Sequence, residues 1–140
     1  MVYLSTISLK IIKAYEAEKK CLQSKCRKEY NAYWNLIENL HKNKKIQITK
    51  EMRLNNAEMQ AMLKCEVDHC KKVVGDLIKK LIIGLNEDIE NNKISINTAT
   101  TASQKKWYKD ALLWNIRKLK TYKKIDIGRI TWKDLHNLQA

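Results

Sequence analysis

The chain of 140 residues contains no proline and only three glycines. Proline disrupts a helix interior and glycine destabilises one by roughly 1 kcal/mol, so the scarcity of both permits long helices. The same composition excludes collagen, Gly/Pro-rich all-β folds and disulfide-dense mini-proteins. The length is sufficient for a buried core, and we expect one basic helical domain over residues 1–140.

Apolar side chains recur at helical spacing along the first part of the chain, and one stripe predicts a helix over about residues 6–41. That stripe consists of Ile11, Tyr15, Leu22, Cys26, Tyr33, Ile37 and Leu40. A second stripe, over residues 63–81 in alternating steps of four and three, predicts a helix over about residues 50–90. Asn55 is the expected N-cap of its main part, and Gly84 is an expected stop signal.

The remainder of the chain predicts a loop and two further helices. Residues 91–103 begin with two asparagines and are rich in Ser, Thr and Asn, so we expect a loop there. A third apolar pattern predicts a helix over about residues 101–124. Thr131 followed by Asp134 is typical of an N-cap and predicts a short helix over about residues 131–139. The predicted fold class is therefore all-α, a small bundle of three long helices and a short C-terminal one.

The charge is large and unevenly distributed. The chain has 28 Lys and Arg against 15 Asp and Glu, a net charge of +13, and 24 of the basic residues are lysines. Residues 1–50 and 91–140 carry net charges of +7 and +8, whereas residues 51–90 carry −2. Solubility requires only about 2–8 charges in a small domain, so this excess indicates an anionic partner. Lysine suits contact with phosphates better than recognition of bases.

Basic residues at helical spacing predict phosphate-binding faces on the first and third helices. The candidate nucleic-acid-binding residues are Lys13, Lys20, Arg27, Lys44, Lys45, Lys106, Lys109, Arg117, Lys120, Lys124 and Trp107. Aromatic side chains beside a basic groove can stack on exposed bases. We expect Trp114 to belong to the core, whereas Trp107 and Tyr122 fit either a core or a stacking role.

The four cysteines form two C-x4-C pairs, a spacing that differs from the C-x2-C of zinc and redox sites. Reduced thiols are the expectation for an intracellular chain. An antiparallel helical hairpin would instead place Cys21 opposite Cys70 and Cys26 opposite Cys65. A level pair of Cys26 and Cys70, or a metal shared by Cys65 and His69, are further alternatives.

No Gly-rich phosphate loop, H-E-x-x-H or G-x-S-x-G motif is present, so we expect a non-enzymatic protein without a cofactor or metal. A helix-turn-helix over residues 48–70 is disfavoured because its turn lacks glycine and Gln60 alone suits a base edge. The expected function is largely sequence-independent binding of nucleic acid, DNA rather than RNA, in a DNA-coating, packaging or viral nucleoprotein role.

The alternative function is a small helical interaction module or inhibitor that binds an acidic protein surface. We expect a homo- or hetero-oligomer that is located intracellularly or in a virion. Membrane contact is not expected, because no apolar run approaches the roughly 20 residues that span a bilayer.

Overall fold

The computed structural model describes residues 5–44, 49, 53 and 56–139 and shows an all-α bundle, as predicted. Its helices are α1 (Thr6–Lys25), α2 (Arg27–Lys44), α3 (Ala57–His69), α4 (Lys71–Thr98), α5 (Ala102–Lys123) and α6 (Trp132–Gln139), with a 3₁₀ turn at Ile127–Arg129. The predicted third and terminal helices are therefore confirmed to within one residue at each end. Within the described ranges there is no β-strand.

The predicted helix over residues 6–41 is wrong as a single element, because it bends at Cys26 into α1 and α2. The predicted helix over residues 50–90 likewise bends at Cys70, between α3 and α4. Both cysteines have φ near −120° and a small positive ψ, outside the helical range. The N–H of each still donates to the carbonyl four residues earlier, at 2.9 Å and 2.7 Å. Each break is thus a one-residue bend and not a loop.

The start of α3 is set by an asparagine cap one residue later than predicted. The Oδ1 of Asn56 accepts a hydrogen bond from the N–H of Met59 at 2.6 Å, which satisfies one of the free donors at the helix start. Asn55 and most of the predicted first turn of this helix lie outside the described residues.

Both bends are tied across the bundle by disulfides. Cys21 is bonded to Cys70 and Cys26 to Cys65, with Cα–Cα distances of 6.0 Å in each pair. This is the pairing of the antiparallel hairpin, so the expectation of reduced thiols is wrong. The level pair of Cys26 with Cys70 is also wrong, and Cys65 is not available as a thiolate ligand beside His69. The four cysteines leave no free thiol in the described chain.

Helix α4 continues past both of its expected stop signals. Gly84 is buried in the middle of α4, where it faces Ile11 of α1, and the predicted loop is helical as far as Thr98. With its amide oriented to match its surroundings, Asn92 accepts a hydrogen bond from the Nδ2 of buried Asn115 on α5 at 2.9 Å. The prediction failed because glycine and asparagine here serve packing against neighbouring helices, which outweighs their weak local preference.

Helices α5 and α6 begin with side-chain caps. The hydroxyl of Thr101 accepts from the N–H of Gln104 at 3.1 Å. At the start of α6 the N–H of Thr131 donates to the Asp134 carboxylate at 2.9 Å, and the N–H of Asp134 donates to the Thr131 hydroxyl at 3.3 Å. This reciprocal pair confirms the predicted cap and fixes where the C-terminal helix begins.

Helix α4 lies at the centre of the bundle. Its most extensive contacts are with α5 and α1, it also contacts α3 and the 3₁₀ turn, and α6 packs against α3. The buried apolar core is Leu22, Cys26, Tyr33, Ile37, Met59, Met62, Leu63, Cys70, Val74, Ile78, Leu85, Ile89, Leu119, Tyr122, Ile130 and Leu135. Both strongly basic helices, α1 and α5, are therefore held against one nearly neutral helix.

Replacement of the two buried glycines of α4 by alanine is expected to have unequal effects. A Cβ at Gly75 would lie 2.8 Å from Cγ2 of Ile127, a methyl that moves only with the whole side chain. A Cβ at Gly84 would lie 2.8 Å from Cδ1 of Ile11, the flexible end of its side chain. Overpacking of a core destabilises a protein by about 1–3 kcal/mol, whereas the higher helix preference of alanine stabilises it by about 1 kcal/mol. Gly75→Ala should therefore lower the free energy of unfolding in urea, and Gly84→Ala should leave it nearly unchanged; equal losses would contradict this packing.

Removal of the disulfides is expected to be more than additive. While one disulfide is intact, the second closes only a small ring made of residues 21–26 and 65–70. Loss of that second disulfide should lower the free energy of unfolding by about 3 kcal/mol, because the unfolded chain gains conformational entropy. Loss of both also opens a loop of 39 or 49 residues, which adds about 4 kcal/mol. Urea unfolding of Cys21→Ala/Cys70→Ala, Cys26→Ala/Cys65→Ala and the quadruple variant measures this. A quadruple variant whose loss of stability does not exceed the sum of the two double-variant losses would contradict the nested pairing.

Candidate nucleic-acid interface

Helix α5 carries a basic face, which the exposed Leu113 interrupts near its middle. The α5 basic face consists of Lys106, Lys109, Arg117, Lys120 and the C-cap residue Lys124, all of them exposed. The buried residues of the same helix are Asn115, Leu119 and Tyr122, which lie roughly 160° around the helix from that face. Packing of α5 against α4 therefore directs the five cations away from the bundle.

The basic residues predicted on the first helix are also exposed, but the bend at Cys26 divides them. Lys13 and Lys20 lie on α1, and Arg27 is the first residue of α2. Lys44 ends α2, with its side chain outside the described part, and Lys45 lies wholly outside the described residues. The structure thus groups the five basic candidates and Trp107 on α5 and places Lys13, Lys20 and Arg27 on other elements.

The solvent exposure of the aromatic residues of α5 differs from the sequence prediction. Trp107 is 67% exposed and Trp114 is 59% exposed, so the expectation that Trp114 belongs to the core is wrong. Tyr122 is buried in the core and is not available for stacking. The apolar period of α5 does not distinguish these cases, because Trp114 lies at the edge of the apolar face and only the position of α1 and α4 decides its exposure.

The two exposed tryptophans have defined neighbours. The Nζ of Lys118 lies 4.5 Å from the centroid of the Trp114 ring, within the range of a cation–π contact. Trp107 makes an edge-to-face contact with Tyr108, with ring centroids 5.1 Å apart. Lys118 was not among the predicted site residues, although its spacing of four from Trp114 on a helix is a signal for this contact.

The α5 basic face is not neutralised within the described parts of the chain. The ion pairs there join Lys80 to Asp76 at 2.8 Å and Lys93 to Glu90 at 3.3 Å, both along α4. Neither involves α5, which has seven basic residues and one acidic residue. The positive charge of α5 therefore remains available to an external anion.

A groove of about 260 Å³ separates α1 from α5, with α4 as its floor. Trp114 and Lys118 line one side, but Glu87 and Asp88 place carboxyl groups on the floor. Burial raises the pKa of Asp88 from its ordinary value. These carboxyl groups disfavour an anion inside the groove, so the groove is less suited to a phosphate than the outer face of α5 is.

A second polar cluster lies inside the bundle, between α1 and α3. Glu66 is only 3% exposed, and burial raises its pKa to about 9, aided by a hydrogen bond to Glu18 and by repulsion from that carboxylate. The pKa of nearby Tyr122 is raised to about 12 by burial and by the adjacent Tyr15 and Glu18. Glu18 lies near the predicted apolar stripe of the first helix because it pairs with Glu66. The cluster is acidic and internal, so it is unsuited to binding phosphate.

No α-helix in the described residues is long and apolar enough to cross a membrane. Comparison with known proteins finds no matching family model, no similar curated protein and no similar solved structure. The site is therefore interpreted from its own geometry and charge.

Glu66→Gln is expected to stabilise the protein at neutral pH and to weaken its pH dependence. An unfolded Glu66 ionises near its ordinary pKa of 4.5, whereas the folded chain retains the proton up to about 9. The folded state therefore binds more protons between these values, and the stability of the wild type falls as pH rises through this window. At pH 7 the gain on substitution should reach at most about 3 kcal/mol. Urea unfolding of both proteins at about pH 5 and pH 8 measures the difference. If the free energy of unfolding of Glu66→Gln falls between the two pH values as much as that of the wild type, the pH dependence does not arise from Glu66.

Proposed function

We propose that this protein binds nucleic acid without reading its sequence, by placing the α5 basic face against the sugar–phosphate backbone. The proposal rests on one observation: five exposed cations occupy the side of α5 opposite its packed side, and no acidic side chain of the described residues forms an ion pair with them. Uncompensated positive charge in one place raises the local concentration of an anionic partner and its association rate.

The length of the face fits several phosphates. From Lys106 to Lys124 the helix rises about 27 Å at 1.5 Å per residue. A duplex strand presents one phosphate per 3.4 Å, so the face spans roughly eight nucleotides. Five cations along this length match a polyanion better than they match a single small anion.

The residue types favour contact with phosphates over recognition of bases. Four of the five residues are lysines, which are flexible point charges without the planar fork that pairs with guanine. Arg117 is the one guanidinium of the face. A single residue of this kind supports little discrimination between sequences, which suits a coating, packaging or nucleoprotein role.

The disulfides bear on where such a role would be performed. Disulfides persist in oxidising surroundings, including virions, and are uncommon in a reducing cytoplasm outside hyperthermophiles. Of the two locations expected from the sequence, the bonds Cys21–Cys70 and Cys26–Cys65 favour a virion.

Salt-dependent binding tests the proposal. Fluorescence anisotropy of two unrelated duplexes and one single strand, titrated between about 50 and 200 mM salt, should give similar affinities for both duplexes. Five phosphate contacts should give a slope of log affinity against log salt of about −4.5 on duplex DNA. Absence of binding at the lowest salt would overturn the proposal and favour an acidic protein surface as the partner.

Charge removal on α5 should reduce that slope. Lys106→Gln/Lys109→Gln/Lys120→Gln removes three cations from the α5 basic face, and the slope should become less steep by about 2.7. The matched control is the triple glutamine variant of Lys72, Lys79 and Lys133, three lysines that are equally exposed and lie on other helices. Equal loss of binding in both variants would show that net charge alone, and not α5, carries the affinity.

A further inference from the structure

We propose that the ligand of α5 is a single strand, whose unpaired bases stack on Trp107 and Trp114 while its phosphates follow the α5 basic face. This inference rests on the proposed function and defines its substrate class. It gives the two tryptophans a role in stacking on bases, which phosphate binding alone does not require.

The exposure of these rings is the first support. Trp107 and Trp114 are the most exposed tryptophans described, at 67% and 59%, while Trp34 is 41% exposed and Trp132 is half-buried. A tryptophan gains free energy from burial, at roughly 25 cal/mol for each Å² of apolar surface removed from water. Single exposed apolar residues are ordinary, but here two exposed indoles lie on the same edge of one helix.

The placement of the rings along α5 is the second support. Trp107 and Trp114 are seven residues apart, so they lie on the same edge of the helix about 10.5 Å apart along its axis. This distance corresponds to about three nucleotides at the 3.4 Å rise of a stacked strand, and to fewer in an extended one. Two bases of one strand can therefore reach both rings.

The cations next to Trp114 are the third support. Arg117 and Lys118 lie three and four residues beyond Trp114 and therefore beside it on the helix surface, whereas Lys106 and Lys109 point about 100° and about 160° away from Trp107 around the helix. The cation–π contact of Lys118 holds the Trp114 ring on one side and leaves it more than half exposed. A base that stacks on Trp114 can therefore have its own phosphate beside a cation, while Trp107 lies farther around the helix from the basic face.

A duplex does not use this arrangement. Its bases are already stacked on one another and present only their edges in the grooves, so the faces that an indole binds are covered. A single strand exposes a face at every base, and each stack on an aromatic side chain contributes about 1–3 kcal/mol irrespective of sequence. The same surface therefore prefers an unpaired strand without becoming sequence-specific.

Binding of oligo(dT), oligo(U) and a duplex to Trp107→Ala, Trp114→Ala and the double variant tests the inference. Each single variant should lose roughly 5- to 150-fold in affinity for single strands, with an unchanged salt slope because no phosphate contact is removed. Duplex affinity should change less than twofold. Trp114→Tyr should bind single strands more tightly than Trp114→Ala and retain most of the wild-type affinity, because tyrosine also stacks on bases. Trp34→Ala, an exposed tryptophan on α2, is the matched control and should bind as the wild type does.

The outcomes separate this inference from the proposed function. If single strands and duplexes both bind with a steep salt slope and the tryptophan variants bind like the wild type, the stacking role fails and the phosphate-binding role stands. Equal losses for duplex and single strand also overturn the preference for single strands. If no nucleic acid binds at low salt, the proposed function itself fails. Tighter binding of oligo(dT) or of oligo(U) assigns the strand as DNA or RNA.

Discussion

The two disulfides are the constraint on which the rest of the structure depends. They join α1 to the bend between α3 and α4, and the bend between α1 and α2 to α3. The two arms of the chain are thereby fixed side by side in antiparallel register. Because Cys26 and Cys70 are themselves the bend residues, the same bonds that cross-link the arms also fix where each long helix changes direction. Helix α4 begins directly after the bend at Cys70, and α1 and α5 pack against it.

Charge and packing are separated on the helices that α4 supports. α5 buries Asn115, Leu119 and Tyr122 and exposes its cations on the opposite side. Most acidic groups lie elsewhere, and Asp110 is the one acidic residue of α5. Glu87 and Asp88 line the groove between α1 and α5, and the proton held by Glu66 limits negative charge inside the bundle. A chain of strong positive charge can therefore fold compactly, since its cations point outward and remain available to a polyanion.

Sequence patterns correctly predicted the features of the fold that depend on interactions between residues close together in the chain. The apolar period and the Thr131–Asp134 pair located α5 and α6, and the symmetry of the cysteine spacing contained the observed pairing as an alternative. The same reasoning failed at Gly84 and Asn92, where burial against another helix outweighs local preference. It also failed at Trp114, whose exposure depends on how α1 and α5 lie on α4.

By itself, the sequence determined that this protein is helical and strongly basic, because helix preference, apolar period and charge are properties of the chain alone. It also placed the cations of the third helix on one face, since 3.6 residues per turn fixes their direction relative to each other. The tertiary structure alone decided which long helices bend, which thiols are bonded and which tryptophans face solvent. These depend on contacts between residues far apart in the chain, and a local pattern carries no information about which distant surface covers it.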